Sequence, residues 1–171
     1  YDFGEDGYNS TVNALTEQGI VYSNATTLGL YETQGVKIGM LAYQTFNGGY
    51  DEIYAKMPAD IQKARDQGCG IVIVSYHWGE EKDYYPNDNQ QKLGKATIDA
   101  GADLVLGHHS HRINPIEEYK GKYIVYSLGN FSFSGNNKPS DMLTFIFQFR
   151  FKYRKGELWN TSFRIVPCRI S

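Results

Sequence analysis

Two continuous apolar runs, separated by one amphipathic helix, constrain the fold of this chain more than any other feature. Ile71–Val74 and Leu104–Leu106 contain no polar residue, so each predicts a strand that is buried on both faces. Between them, Asn87–Ala100 has apolar residues at helical spacing and is followed by Gly101, a typical helix stop signal. This strand–helix–strand succession is a βαβ unit, which predicts that the two strands lie parallel in one sheet.

The pattern around this unit changes from alternating helices and strands to antiparallel strands. An α/β sandwich, with two sheets and helices outside, accounts for both halves of the chain. Its 171 residues are expected to form a single domain over 1–171. The further predicted elements are a helix over Asn9–Gln18 capped by Asn9 or Ser10 and ended by Gly19, a hairpin of Leu28–Thr33 and Val36–Tyr43, a helix over Asp51–Gln67 that Pro58 could interrupt, a hairpin of Ile116–Tyr119 and Tyr123–Ser127, and the alternating strands Met142–Tyr153 and Leu158–Val166.

Charge and cysteine content exclude some classes of protein. With 17 Lys and Arg against 19 Asp and Glu, the chain has no overall basic field, so nucleic acid is not expected as a partner, although a local basic patch stays open. The apolar runs are too short to span a bilayer. Cys69 and Cys168 lack the spacing of a zinc or redox motif, and are either two idle thiols or one disulfide that would suit an oxidising compartment.

All four histidines fall in two short clusters at predicted strand ends. His77 follows the first buried strand, and the second is followed by His108, His109 and His111. Open α/β sheets bind ligands beyond the carboxyl ends of their parallel strands, which is where both clusters are expected. Neutral imidazole suits Zn, Fe, Mn or Ni, so the two clusters together predict a metal site.

Several polar or aromatic residues near these clusters have two interpretations. Glu81 is either a ligand or general acid/base, or an ordinary solvated carboxylate. Asn130 is either a ligand amide or part of a Gly-Asn turn, and Trp78 either stacks on a substrate or packs in the core. Ser110 lies between two histidines, but there is no Gly-x-Ser-x-Gly elbow, and a metal explains the imidazoles better than a nucleophilic serine.

These residues belong to a longer pattern. It comprises Tyr1-Asp2-Phe3-Gly4, His77-Trp78-Gly79-x-Glu81, Pro86, Gln90/Gln91, Gly101-Ala102-Asp103, Gly107-His108-His109-x-His111, Pro115-Ile116-Glu117 and Tyr126-Ser127-Leu128-Gly129-Asn130-Phe131. The pattern resembles the bacterial capsule synthesis protein CapA family, also called the poly-γ-glutamate synthesis or PgsA family. The resemblance covers nearly the whole chain and is weakest over 143–171.

The resemblance implies an architecture similar to calcineurin-like metallophosphoesterases, a β-sandwich flanked by helices with a two-metal site at its strand ends. It implies that divalent Mn, Fe or Zn ions are bound, and the candidate metal ligands are His77, His109 and His111. The candidate catalytic groups are His108 and Glu81. The candidate substrate-binding residues are Trp78, Asn130 and Arg112.

One departure from the family pattern concerns the start of the chain. Family members begin with a Gly-Asp strand end, an acidic Asn-Leu-Glu block and an Asn-Asn-His segment, none of which occurs here. The chain is therefore expected to be the carboxyl-terminal half of a family member, with a sandwich that is incomplete on its N-terminal side. We expect such a piece to bind metal weakly, to catalyse little, and to self-associate through exposed sheet edges.

Two functions follow from the histidines and the resemblance. The first is a metal-dependent, phosphoesterase-like hydrolase that acts on phosphate esters or on a bond of a cell-envelope polymer. The alternative is a non-catalytic cell-surface component that binds or helps to export an anionic capsular polymer such as polyglutamate. In either case the parent protein is expected to work with other capsule synthesis proteins outside the cytoplasm, tethered at the cell surface.

Overall fold

The computed structural model describes residues 3–45, 49–132, 139–154 and 156–170. Tyr1 and Asp2 of the opening motif and Lys155 of a predicted turn lie outside these ranges. The elements in chain order are α1 (Gly4–Glu17), β1 (Gly29–Thr33), β2 (Val36–Gln44), α2 (Tyr50–Asp66), β3 (Ile71–His77), α3 (Asp88–Asp99), β4 (Leu104–His108), β5 (Ile116–Tyr119), β6 (Lys122–Val125), β7 (Leu143–Arg154) and β8 (Glu157–Arg169).

Six strands form one mixed sheet in the order β1-β2-β3-β4-β6-β5. Strands β2, β3, β4 and β6 are parallel, and the two edge strands, β1 and β5, pair antiparallel with their neighbours. The predicted βαβ unit is confirmed, because β3 and β4 are parallel neighbours joined through α3. Their register aligns Gln44, His77 and His108 across the carboxyl ends of three adjacent strands.

Helices α2 and α3 cover one face of this sheet and form the hydrophobic core with it. The buried residues of α2 recur at helical spacing: Ile53, Met57, Ile61 and Ala64. Their burial keeps α2 continuous through the exposed Pro58, so the predicted interruption does not occur. Helix α3 begins where the sequence predicts, with Asn87 and Gln90 forming a capping box.

The two faces of the central strand β3 are buried to different degrees. Val72, Val74 and Tyr76 belong to the core under the helices and have no exposed surface. Ile73, on the other face, is only partly buried. The predicted burial on both faces is therefore complete only on the helix side.

The opposite face of the sheet meets the two-stranded antiparallel sheet β7–β8, which we call the ribbon. Tyr123 of β6 makes edge-to-face contacts with Phe149 and Phe163 of the ribbon, at ring-centre distances of 5.7 and 5.1 Å. A cavity of about 1020 Å³ remains between the layers, lined by Ile38 and Ile71 of the sheet and by aromatic, polar and basic residues of the ribbon. The predicted α/β sandwich is thus confirmed, with only two strands in its second sheet among the described residues.

Helix α1 differs from its prediction at the N-terminal end. It begins at Gly4 rather than Asn9, and the predicted caps Asn9 and Ser10 lie inside it. Acidic residues in the first turn, which favour a helix start, fall before Asn9 and explain the earlier beginning. The predicted terminator is confirmed: Gly19 has a φ of 64° and the chain turns away there. No α1 residue is buried.

Two predictions about thiols and membranes also have structural counterparts. Cys69 and Cys168 are free, which agrees with the interpretation as two idle thiols. Burial raises the pKa of the Cys69 thiol, so at neutral pH Cys69 is in the protonated thiol form, which is less reactive than the thiolate. Among the helices of the described residues, none is both long and apolar enough to cross a bilayer.

Candidate functional site

The histidine clusters occupy one edge of the sheet, at the carboxyl ends of β3 and β4. His77 is the last residue of β3 and lies in register with His108, the last residue of β4. The Trp78 amide continues the pairing by donating to the His108 carbonyl at 3.2 Å. Because β3 and β4 are parallel and in register, the turn after His77 and the turn over 108–111 lie at the same edge of the sheet, as the sequence predicts.

Trp78 is part of the core beneath this edge. It is 1% exposed, and its ring stacks on Tyr76 at 4.5 Å and on Tyr126 at 5.9 Å. Its Nε1–H donates to the Tyr126 carbonyl at 2.9 Å. Both ring faces are covered, so the packing alternative, and not substrate stacking, describes Trp78 in this structure. Gly107 permits this arrangement, because an added Cβ there would overlap the Tyr126 carbonyl.

The turn after β4 holds two histidines in an unusual backbone conformation. His109 and His111 have φ values of 103° and 55°, a region that residues other than glycine rarely adopt. Such strain persists where surrounding bonds enforce it, and it clusters at functional sites. Ser110 supplies those bonds: its hydroxyl donates to the Arg112 carbonyl and accepts from the Arg112 amide and from Asn114 Nδ2. Ser110 is 2% exposed and acts as the centre of the turn, which disfavours it as a nucleophile.

Three imidazoles converge at this edge. The ring centres of His77 and His109 are 4.6 Å apart, and those of His109 and His111 are 6.5 Å apart. Two imidazoles that share one ion have ring centres about 5 Å apart, since metal–nitrogen bonds are about 2.0–2.1 Å long. His77 and His109 are thus already at sharing distance, while His111 would have to approach by roughly 1 Å.

Asn130 fixes the orientation of His111. Its side chain is nearly buried, at 8% exposure, and its Oδ1 lies 2.6 Å from His111 Nδ1. With Oδ1 as the acceptor, Nδ1 carries the proton and Nε2 carries the lone pair. An outer partner of this kind typically sets which nitrogen of a histidine is available to a metal. In this structure Asn130 is therefore a hydrogen-bond partner of His111, rather than a substrate-binding residue or a turn residue alone.

Two of the histidines are held in the neutral form. Burial, reinforced by the charges of His109, His108 and His111, lowers the pKa of His77, and the Glu81 carboxylate opposes this only in part. Burial also lowers the pKa of His108. The imidazoles of His77 and His108 are therefore neutral at pH 7 and keep a lone pair, as a metal ligand or general base requires.

The donor set fits a divalent metal in chemistry but is not a finished site. Among the described residues, no group of three or more His, Cys, Asp or Glu side chains has the geometry of a formed metal site. Glu81 lies close enough for its charge to affect His77, but its side chain is exposed. His77, His109 and His111 are the residues that would hold an ion, with a further oxygen ligand needed to balance its charge.

Arg112 is buried and stabilises the turn over 108–111 instead of lying on an open surface. Its side chain is 6% exposed; Nη1 donates to the His111 carbonyl at 2.8 Å, and Nη2 donates to Ser140 Oγ at 2.6 Å. The guanidinium also lies over the ring of Tyr84, whose hydroxyl donates to Asp141. Its Nε is buried with no hydrogen-bond partner among the described residues. These contacts place Arg112 behind His111, and do not support its predicted contact with substrate.

Some supporting residues were not predicted from the sequence. Asn114 is buried and donates from Nδ2 to the Asp83 carbonyl at 2.9 Å, which ties the His77 loop to the histidine turn. Tyr84 and Ser140 are brought to the site from distant parts of the chain. No local motif marks these residues, because their role depends on the tertiary approach of separate loops.

Residues 1–134 match the protein family described as "Bacterial capsule synthesis protein PGA_cap". The chain belongs to this family. The matched range contains every predicted site residue and ends before the ribbon. The family resemblance found in the sequence is therefore confirmed.

Named relatives agree with this membership. The chain is 36% identical over 154 residues to a PGA biosynthesis protein CapA of Bacillus subtilis, covering 77% of this chain and 40% of that protein. It is 35% identical over 155 residues to a capsule biosynthesis protein CapA of Bacillus anthracis, covering 77% and 37%. A probable polyglutamine synthesis accessory protein of Mycobacterium tuberculosis is 39% identical over 80 residues, covering 47% and 20%. The chain thus spans about two fifths of the two CapA proteins.

The role of Asn130 in this family member can be tested by substitution. Asn130→Ala is expected to weaken Zn²⁺ binding about tenfold, because losing an outer partner of a ligating histidine typically costs 10–100-fold in affinity. Asn130→Asp keeps the acceptor and should restore binding. Calorimetric titration measures both, with the exposed Asn13→Ala in α1 as a control that leaves the affinity unchanged. Equal affinities for all four proteins would contradict the role given to Asn130.

Proposed function

We propose that this chain carries the histidine part of a metal-dependent hydrolytic site that acts in capsule biosynthesis. The observation that carries the proposal is the convergence of His77, His109 and His111 at the carboxyl ends of two parallel strands. The unusual φ angles of His109 and His111 and the Asn130 contact support it, because a fold rarely maintains such features for packing alone.

A bound divalent ion would polarise the attacked carbonyl or phosphoryl group and would lower the pKa of a coordinated water. His77, His109 and His111 would hold the ion, and Asn130 would keep Nε2 of His111 directed toward it. Neutral His108 at the end of β4 can accept a proton, and the exposed Glu81 carboxylate lies on the same edge of the sheet. We assign proton transfer to these two residues.

The substrate we propose is the anionic polymer of the capsule, with a phosphoester as the second chemical class. The names of the relatives support the polymer, since they refer to PGA and to polyglutamine synthesis. We propose that the larger protein works with other capsule synthesis proteins at the cell surface, where a capsular polymer is located.

Hydrolysis with and without metal tests this proposal. The chain is incubated with poly-γ-glutamate, or with bis(p-nitrophenyl) phosphate, in Mn²⁺, in Zn²⁺ or in EDTA. We expect slow cleavage that requires metal and is lost in His109→Ala, because the described residues provide only part of a ligand set. Stoichiometric metal binding without cleavage of either substrate would instead support a non-catalytic capsule component.

A further inference from the structure

The ribbon β7–β8 carries a charge distribution opposite to that of the rest of the chain. Residues 142–171 contain six Lys and Arg and a single acidic residue, Glu157. Residues 1–141 contain eleven Lys and Arg and eighteen Asp and Glu. A net charge of +5 is therefore concentrated in one hairpin of a protein that is otherwise at −7. Such segregation favours long-range attraction of a polyanion to this element.

The cations of the ribbon lie together on its exposed side. Along β7, Arg150, Lys152 and Arg154 are exposed and alternate with Phe149, Phe151 and Tyr153, which are partly buried. Arg164 on β8 is opposite Gln148 and is also exposed. No ion pair joins these four cations to a carboxylate of the described residues. They are therefore available to a ligand from outside.

A β-bulge adds a tryptophan to this basic side. The register between the strands shifts at Lys152/Tyr153, opposite Trp159, and a bulge commonly redirects one side chain. Trp159 is 63% exposed, with Lys152 Nζ and Arg154 Cζ each 6.0 Å from its ring centre. Cations that pack on an aromatic ring lose mobility before a ligand arrives, which lowers the entropic cost of binding.

We propose that the basic side of the ribbon, formed by Arg150, Lys152, Arg154, Trp159 and Arg164, binds a carboxylate polymer in an extended conformation. Same-side residues of a strand lie roughly 7 Å apart, so three cations along β7 form a ladder longer than any single small anion. A ligand with a carboxylate in each repeat can contact several rungs at once. The aliphatic part of each repeat can cover the Trp159 ring.

The choice of a carboxylate polymer rests on the proposed function, because the family acts in capsule synthesis. The position of the binding surface on the ribbon does not depend on the proposed function. The ribbon lies outside the residues that match the family, and none of its residues belongs to the histidine cluster. The inferred role is to hold the polymer at the protein, separate from any bond cleavage at the strand ends.

Charge reversal with a matched control tests the surface. Lys152→Glu/Arg154→Glu changes the net charge by the same amount as Lys63→Glu/Lys92→Glu, which alters two exposed lysines on α2 and α3. Calorimetry with poly-γ-glutamate in 0.1 M salt is expected to show binding at least about tenfold weaker for the ribbon variant, and within about twofold of wild type for the control. Equal losses in both variants would overturn the proposal, since net charge alone would then explain them.

Tryptophan fluorescence reports the place of binding. Trp78 is buried and Trp159 is exposed, so a polymer-induced change in emission is expected in wild type and should be absent in Trp159→Phe. Tighter binding of single-stranded DNA or of anionic phospholipid vesicles than of poly-γ-glutamate would overturn the assignment of the ligand. An undiminished emission change in Trp159→Phe would overturn the assignment of the binding surface to the ribbon.

The same assays separate this inference from the proposed hydrolysis. Polymer binding should persist in EDTA and in His77→Ala/His109→Ala, whereas cleavage should be lost. If no cleavage is found and the ribbon variant still loses binding, the hydrolytic function fails and the binding surface stands. If cleavage is found and the ribbon variant binds normally, the binding surface is wrong.

Discussion

Asp103→Ala is expected to lower the free energy of unfolding by about 3 kcal/mol, because it leaves two cations without their shared partner. Asp103 is 4% exposed and binds Arg65 Nη2 at 2.7 Å, Lys122 Nζ at 3.0 Å and the Val72 amide at 2.8 Å. These contacts join the end of α2 to β3 and β6 below the core. Arg65 and Lys122 keep 29% and 30% of their side-chain surface exposed, so water limits the cost to the lower part of the usual range.

Urea denaturation followed by circular dichroism measures this effect. The exposed Asp99, which pairs with Lys120, is the control, and Asp99→Ala should leave the unfolding midpoint nearly unchanged. Asp103→Asn keeps an acceptor for the Val72 amide and should lie between wild type and Asp103→Ala, which keeps the test informative if the alanine variant does not fold. A midpoint for Asp103→Ala equal to that of Asp99→Ala would contradict the structural role of this buried carboxylate.

Replacing two of the clustered imidazoles is expected to abolish the proposed metal site. His77→Ala/His109→Ala deletes the pair whose ring centres are 4.6 Å apart, and should weaken Zn²⁺ binding by at least about 100-fold. The reason is that His111, the one assigned ligand that remains, cannot by itself supply the donors that a stable zinc site needs. Calorimetry and metal content after gel filtration measure the loss.

His108→Gln is the matched control for this variant. It removes one histidine of the same cluster that we do not assign as a ligand, and should keep the Zn²⁺ affinity of wild type within about threefold. Circular dichroism of each variant checks that the fold is retained. A loss in His108→Gln as large as in the double variant would show that the ligand assignment is wrong.

The order of elements and the meeting of the histidines were predictable because both follow from local sequence. Continuous apolar runs at 71–74 and 104–106 specified two adjacent buried strands, and parallel pairing then brought the ends of both strands to one edge. His77 and His109 follow those strands directly, so their proximity required no knowledge of distant packing.

Other features were not predictable because they depend on contacts between distant segments. Trp78 follows a strand end as a ligand-binding residue would, but its ring reaches across β4 to the Tyr126 carbonyl through space left by Gly107. Arg112 looked available to substrate, yet Tyr84 and Ser140 enclose it from loops that lie far away along the chain. The early start of α1 arose from acidic residues that the apolar spacing did not include.

We propose that His77, His109 and His111 bind a divalent metal ion together. Nitrogen resonances of the histidine rings test this proposal most directly. In ¹H–¹⁵N spectra recorded during a Zn²⁺ titration, we expect ring signals of these three residues to change together and to saturate at a fixed stoichiometry. His111 should respond through Nε2, because Nδ1 faces Asn130, and His108 should change least. Unchanged ring signals at saturating Zn²⁺, or changes confined to His108, would contradict the claim.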